Sequence, residues 1–194
     1  GTNKKYLKEL CDYWITKFDW SKHESELNKF KNYTTDIDGI KIHFIKKKGS
    51  SENSVPLLLM HGWPGSIIEF LNIIEKLAHP EKFGGNEKDS FDVIVPSLPG
   101  FGFSGNPSKP IGPRKMAEIL NKLMIKNIGY KDYMAQGGDW GATIANWLGY
   151  DHSNFCKAIH INCLTMRHPE GPKSDDERNW QKKFNEDQIM QEGY

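Results

Sequence analysis

The sequence predicts an α/β protein, a mostly parallel sheet with helices flanking it. Two observations carry that prediction. Short apolar runs suited to buried strands, such as Val55 to Met60 and Phe91 to Val95, alternate with segments of helical period. In addition, two glycine-rich stretches, His61-Gly62-Trp63-Pro64-Gly65 and Gly137-Gly138-Asp139-Trp140-Gly141, each follow an apolar run and open into a helical pattern.

Taken in order, residues 1–36 read as mainly helical N-terminal structure. Tyr6, Leu7, Leu10, Trp14 and Phe18 mark one helix face, and Ser21-Lys22-His23-Glu24 has the pattern of a capping box ahead of Leu27 and Phe30. A hairpin is expected from Tyr33 to Ile37 and Lys41 to Ile45, with Asp38-Gly39 as its turn. Strand–helix alternation then begins: strand 55–60, helix 66–78, strand 91–95, helix 113–126, strand 132–136, helix 140–150 and strand 157–162. Ile67, Ile68, Leu71, Ile74 and Leu77 supply the stripe of the first of these helices. Pro113 suits the first position of the second, whose face is Met116, Ile119, Leu120, Leu123 and Met124. Residues 165–173 read as a linker, and a charged helix is expected from Asp175 onward. Trp14, Phe18, Trp20 and Phe44 are expected to pack between the N-terminal segment and the sheet.

The second glycine-rich stretch has the layout of a nucleophile elbow, with aspartate where most hydrolases carry serine. Such a turn is so sharp that its central residue is strained, and the positions two before and two after it must be small, which Gly137 and Gly141 satisfy. An aspartate there attacks an electrophilic carbon directly and forms an alkyl ester. The helix N-terminus that follows favours the carboxylate form. The plainer alternative is a strand–turn–helix connection with Asp139 as helix cap.

The first stretch bears on that choice. In hydrolases with such an elbow, one oxyanion N–H comes from the loop after an earlier strand and the other from the residue after the nucleophile. Here these are the backbone amides of Trp63 and Trp140. Pro64 has no N–H and is a candidate for a cis bond. His61 is expected to pack beneath the turn rather than act as a base. His160 is expected to be a sheet residue and His152 an exposed loop residue. Phe101 and Phe103, in the loop Ser97 to Ser104, join Pro64 as candidates for the pocket lining.

Three segments, HGWPG, VPSLPGFGFS and GGDWG, in this order and spacing, resemble the microsomal type of epoxide hydrolase, including the juvenile-hormone epoxide hydrolases of insects. Tyr13-Trp14, Phe18-Asp19-Trp20 and Ile37 to Ile45 resemble the N-terminal region particular to that group. The resemblance implies an α/β-hydrolase fold, here partial, with the last strands missing. Residues 1–45 would be the N-terminal segment, 46–164 the core, and 165–194 a linker and the start of a helical cap. It implies hydrolysis of a small apolar epoxide to a vicinal diol through an ester on Asp139, with no cofactor or metal, in detoxification or aromatic hydrocarbon catabolism. The family's acid–base pair and epoxide-polarising tyrosines match no position in this chain, and Tyr194 is not assigned that role. Both ends look cut relative to the longer family members. A catalytically inactive truncated product or a non-catalytic binding protein is therefore a rival reading, and a haloalkane or haloacid dehalogenase a more distant one. The resemblance also implies an intracellular protein. It would sit at the endoplasmic reticulum membrane if a full-length eukaryotic member carries an N-terminal anchor, and in the cytoplasm otherwise.

Composition excludes other classes. Lys+Arg 26 against Asp+Glu 25 leave a net charge of +1, so no basic field argues for nucleic acid. Lys46-Lys47-Lys48 reads as a solvated strand end. Cys11, Cys156 and Cys163 are odd in number and lack metal spacing, which points to a reducing interior. No apolar stretch reaches the roughly eighteen residues of a membrane span.

Overall fold

A computed structural model describes residues 1–163 and 171–188. It divides into two units, Gly1–Cys163 and Leu164–Tyr194. In the first, strands β1 (Asn32–Ile37), β2 (Ile40–Lys47), β3 (Val55–Met60), β4 (Phe91–Pro96), β5 (Tyr133–Gly137) and β6 (Cys156–Ile161) form one six-stranded sheet in the order β1-β2-β4-β3-β5-β6. The hairpin β1–β2 and the β2–β4 pair are antiparallel, whereas β4, β3, β5 and β6 are mutually parallel. The Asp38-Gly39 turn is as expected, with φ of 55° and 77° at its two residues.

Alternation along the strands builds the two cores. Leu58 and Met60 join Ile42, Ile94, Tyr133 and Ala135 on one face, covered by helices α4 (Pro113–Lys122) and α5 (Trp140–Asp151). Leu57 and Leu59 join Ile45, Val93 and Val95 on the other, covered by α3 (Leu71–Ala78) and by Leu27 at the end of α2 (Trp20–Leu27).

Several elements depart from the sequence expectation. The helix expected over 66–78 opens as a 3-10 turn, Ile67–Phe70, with the Glu69 amide on Ser66 O at 3.2 Å and the Ser66 side chain capping the Ile68 amide at 3.3 Å. The helix expected over 113–126 widens after Lys122 into a π-helical stretch, Leu123–Ile128, and ends on Gly129 at φ 89°. Ser21 does not cap α2. Asp19 does, accepting the Lys22 amide at 3.2 Å, so Ser21 lies inside the helix. Helix α1 (Lys4–Lys17) has no buried residue. Trp14, Phe18 and Trp20 are 67%, 42% and 55% exposed, and of the four aromatics expected to pack only Phe44 is buried. In the second unit, α6 (Asp175–Lys183) begins with the capping box Ser174/Glu177. The expected linker 165–173 lies largely outside the described residues, as does Tyr194. Among the described residues no helix is long and apolar enough to cross a membrane.

His43 and His61 are both buried, and burial pushes both below the ordinary histidine range. Each is neutral in the fold, while in the unfolded chain it titrates near about 6.5. Their contribution to stability is therefore complete above that pH and is lost as pH falls toward the depressed folded values. Urea unfolding should show the midpoint dropping between about pH 7 and pH 5, before the bulk of the carboxylates titrate. A flat midpoint across that window would contradict the burial of the two rings.

Candidate active site

Strand β5 ends on Gly137 and α5 begins on Trp140, which leaves two residues for the reversal. Asp139 makes it with φ 49° and ψ −122°, a conformation costly for a residue with a β-carbon. Close approach fixes the neighbours. A β-carbon on Gly137 would overlap the Gly141 carbonyl, one on Gly141 would overlap the carbonyl oxygens of Met60 and His61, and one on Gly138 would press on the Asn162 side chain. The elbow is thus wedged against the C-terminal end of β3 and the residue just after β6.

The loop after β3 lies directly over the Asp139 carboxylate. Gly62 has no room for a β-carbon there, because Asp139 Cβ and Oδ1 occupy it. The Trp63 amide donates to Asp139 Oδ1 at 2.7 Å, so the acid and one of the two expected oxyanion donors are in contact. The Trp63–Pro64 peptide is cis. Trp140 is the first residue of α5, and its amide has no helix carbonyl before it to bond. Oδ1, not Oδ2, is the carboxylate oxygen that takes the Trp63 amide.

His61 is 1% exposed and uses both ring nitrogens. Its Nε2 accepts the Leu98 amide at 3.2 Å, so its proton sits on Nδ1 and goes to the Gly62 carbonyl at 3.0 Å. It packs beneath the turn, as the sequence suggested, with its ring edge to Phe101 at 5.3 Å. Phe103 lies instead against His43, at 5.1 Å. His160 stands on β6 opposite Gln136, a sheet residue. His152 is half-buried rather than exposed, because it closes the end of α5, its amide on Leu148 O and its carbonyl taking the amides of Phe155 and Cys156. Among the described residues no histidine is hydrogen-bonded to Asp139 and no His, Cys, Asp and Glu group could hold a metal. A cavity of about 800 Å³, lined by residues that include Tyr33, Phe44, Lys46 and Glu75, does not include Asp139.

Sequence reasoning missed several polar neighbours. Glu69 crowds Gly65 in the loop after β3, Asn162 crowds Gly138, and Gln136 Oε1 is buried with no partner among the described residues. Asn162 stands 24 positions from Gly138 and leaves no local pattern, whereas Glu69 is only four residues from Gly65 and was passed over as an ordinary helix residue. His43 was also missed, since its place in β2 looked like ordinary strand alternation.

Residues 1–70 match the family described as epoxide hydrolase N terminus, and residues 55–192 match the alpha/beta hydrolase fold. A putative epoxide hydrolase of Stigmatella aurantiaca is 45% identical over 157 residues, which cover 80% of this chain and 36% of that protein. Among solved structures, Aspergillus niger epoxide hydrolase matches with a TM-score of 0.81 and 35% identity, over 97% of this chain and 51% of that one. The juvenile hormone epoxide hydrolase of the silkworm Bombyx mori matches with a TM-score of 0.79 and 33% identity, over 88% and 40%. The chain thus spans between about a third and a half of the relatives it matches. With the sheet order, the strained aspartate at its elbow and both family matches in agreement, the chain belongs to the α/β-hydrolase fold family, in the branch that carries the epoxide hydrolase N terminus.

Proposed function

We propose that the protein to which these residues belong opens small apolar epoxides to vicinal diols through an ester on Asp139. The observation that carries this reading is the Asp139 carboxylate, held at a strained elbow with Oδ1 on the Trp63 amide. With Oδ1 held, Oδ2 attacks a ring carbon. The carbon–oxygen bond of the epoxide breaks, and the freed oxygen takes a proton from an acid outside these residues. Water then adds to the ester carbonyl carbon. The negative charge that develops on Oδ1 lies at the Trp63 N–H, with Trp140 N–H proposed as the second donor, each contributing about 3–4 kcal/mol. Collapse expels the diol and returns the carboxylate. His61 cannot activate the water, since both its nitrogens are engaged. That task belongs to a base outside the described residues, and the segments 1–45, 46–164 and 165–194 are proposed as N-terminal segment, core and beginning of a cap. Pro64, Phe101 and Phe103 remain proposed pocket residues, Phe101 with the better placement.

The test is one turnover of styrene-oxide-type and terpenoid epoxides by the full-length protein in water labelled with heavy oxygen. The ester route leaves the first diol unlabelled and puts the label in Asp139. Label in the first diol would overturn it, as would the absence of any diol from either epoxide class.

A further inference from the structure

A line of hydrogen bonds, joined through the backbone at Ser97–Leu98 and Gly62–Trp63, runs from the turn after α2 to the nucleophile, and its geometry fixes the protons of both histidines on it. The Asn32 amide nitrogen donates to the carbonyls of Phe30 at 2.8 Å and Leu27 at 3.3 Å. Asn32 Oδ1 therefore faces His43 Nε2, 2.9 Å away, and that nitrogen carries the proton. A neutral imidazole protonated on Nε2 offers an acceptor at Nδ1, which takes the Ser97 hydroxyl at 2.9 Å. Ser97 is locked to β2 a second time, its amide on the His43 carbonyl at 2.9 Å, and Ser104 Oγ bridges the two by accepting the His43 amide and donating to Ser97 O at 2.7 Å. The next residue, Leu98, donates its amide to His61 Nε2, and His61 Nδ1–H grips the Gly62 carbonyl.

That carbonyl and the Trp63 N–H belong to one peptide group, which is planar and stiff. His61 holds one side of the plane and Asp139 Oδ1 the other. His43, Ser97, His61 and Leu98 are between 0% and 4% exposed, so water is a poor substitute for a lost partner anywhere along the line.

We infer that His43 is a positioning residue for the Trp63 amide, acting through Ser97, Leu98 and His61, and that the strand pair β1–β2 thereby forms part of the scaffold of the oxyanion site. The catalytic consequence rests on the epoxide-opening reading of Asp139; the structural coupling does not. His43 touches neither Asp139 nor the Trp63 amide. It sets where the loop beginning at Ser97 stands, that loop orients the second imidazole, and the second imidazole orients the peptide plane. The N-terminal segment is in this way joined to the chemistry without supplying a reacting group.

The alternative is that His43 is only a well-packed core residue, and two variants separate the cases. His43→Asn places its amide near the old Nδ1 and keeps a partner for Ser97. His43→Gln places it near the old Nε2, keeps a partner for Asn32 and releases Ser97. Amide hydrogen exchange measured by NMR on the 194-residue chain should show Leu98 and Trp63 exchanging about tenfold faster in His43→Gln, and within about twofold of wild type in His43→Asn, the size expected for one buried hydrogen bond. Labelling of Asp139 by a small reactive epoxide, followed by mass, should slow in parallel in His43→Gln and be rescued in His43→Asn. Equal behaviour of the two variants, with exchange tracking only global stability, would overturn the inference. Ser97→Ala removes the same link with a smaller change in shape and should reproduce His43→Gln; unchanged exchange at Leu98 and Trp63 there would overturn it as well. A wild-type chain that takes no label on Asp139 defeats the epoxide reading alone, because the exchange measurement still decides the brace.

Discussion

Asp139→Asn should leave the fold intact and remove epoxide opening by the full-length protein. Asparagine tolerates a positive φ, and its side-chain oxygen can still accept the Trp63 amide, so the elbow has no reason to rearrange. What is lost is the anionic oxygen that attacks carbon. Loss of a covalent nucleophile commonly removes many decades of rate, so activity above about a hundredth of wild type would reject Asp139 in that role. Diol formation on the styrene-oxide-type and terpenoid substrates, with circular dichroism to confirm folding, gives both halves of the result.

Gly137→Ala should be among the most destabilising single changes in the chain. The new methyl would overlap the carbonyl of Gly141, and neither partner has room to retreat. Gly137 is paired in β5 with Met60 and Ile161, while Gly141 lies in the first turn of α5, whose Ala142, Ile144, Ala145 and Leu148 are buried. Overpacking commonly costs about 1–3 kcal/mol, and a clash between two backbones held on both sides should exceed that range. Gly129→Ala is the control. There a β-carbon meets nothing, and the penalty is only that of an alanine at φ 89°, about 1–2 kcal/mol. Urea unfolding of the two variants compares the effects, and a Gly137→Ala chain as stable as Gly129→Ala would mean that the elbow is not wedged as described.

The crossings from β3 and β5 into their helices were legible because they are local. An apolar run, a glycine pair and a helical stripe lie within about twenty residues of one another, and Gly137 answers a contact with Gly141 that the turn itself creates. The Asp38-Gly39 hairpin was legible for the same reason. The cap of α2 was misread because Ser21 and Asp19 offer the same chemistry two residues apart, and only the backbone path decides which one accepts an amide. Trp14, Phe18 and Trp20 were misread because hydrophobic period shows which face is apolar and not whether anything covers it. Within the site, Asp139 and Trp63 could be paired from sequence since each belongs to a recognisable turn. The link from Asn32 through His43 and Ser97 to His61 could not, because its bonds join residues 11, 54 and 37 positions apart and no periodicity records them.

The central claim is that Asp139, and no other group, is the nucleophile. Intact mass and peptide mapping of the 194-residue chain after incubation with a small reactive epoxide test it most directly. Thiols are blocked first, since Cys11 is exposed, whereas burial holds the Cys156 thiol up at about 11. One adduct per chain, mapped to Asp139 and missing from Asp139→Asn, is the expected result. An adduct on another residue, or sustained release of diol by these 194 residues with a base drawn from His61, His152 or His160, would contradict it.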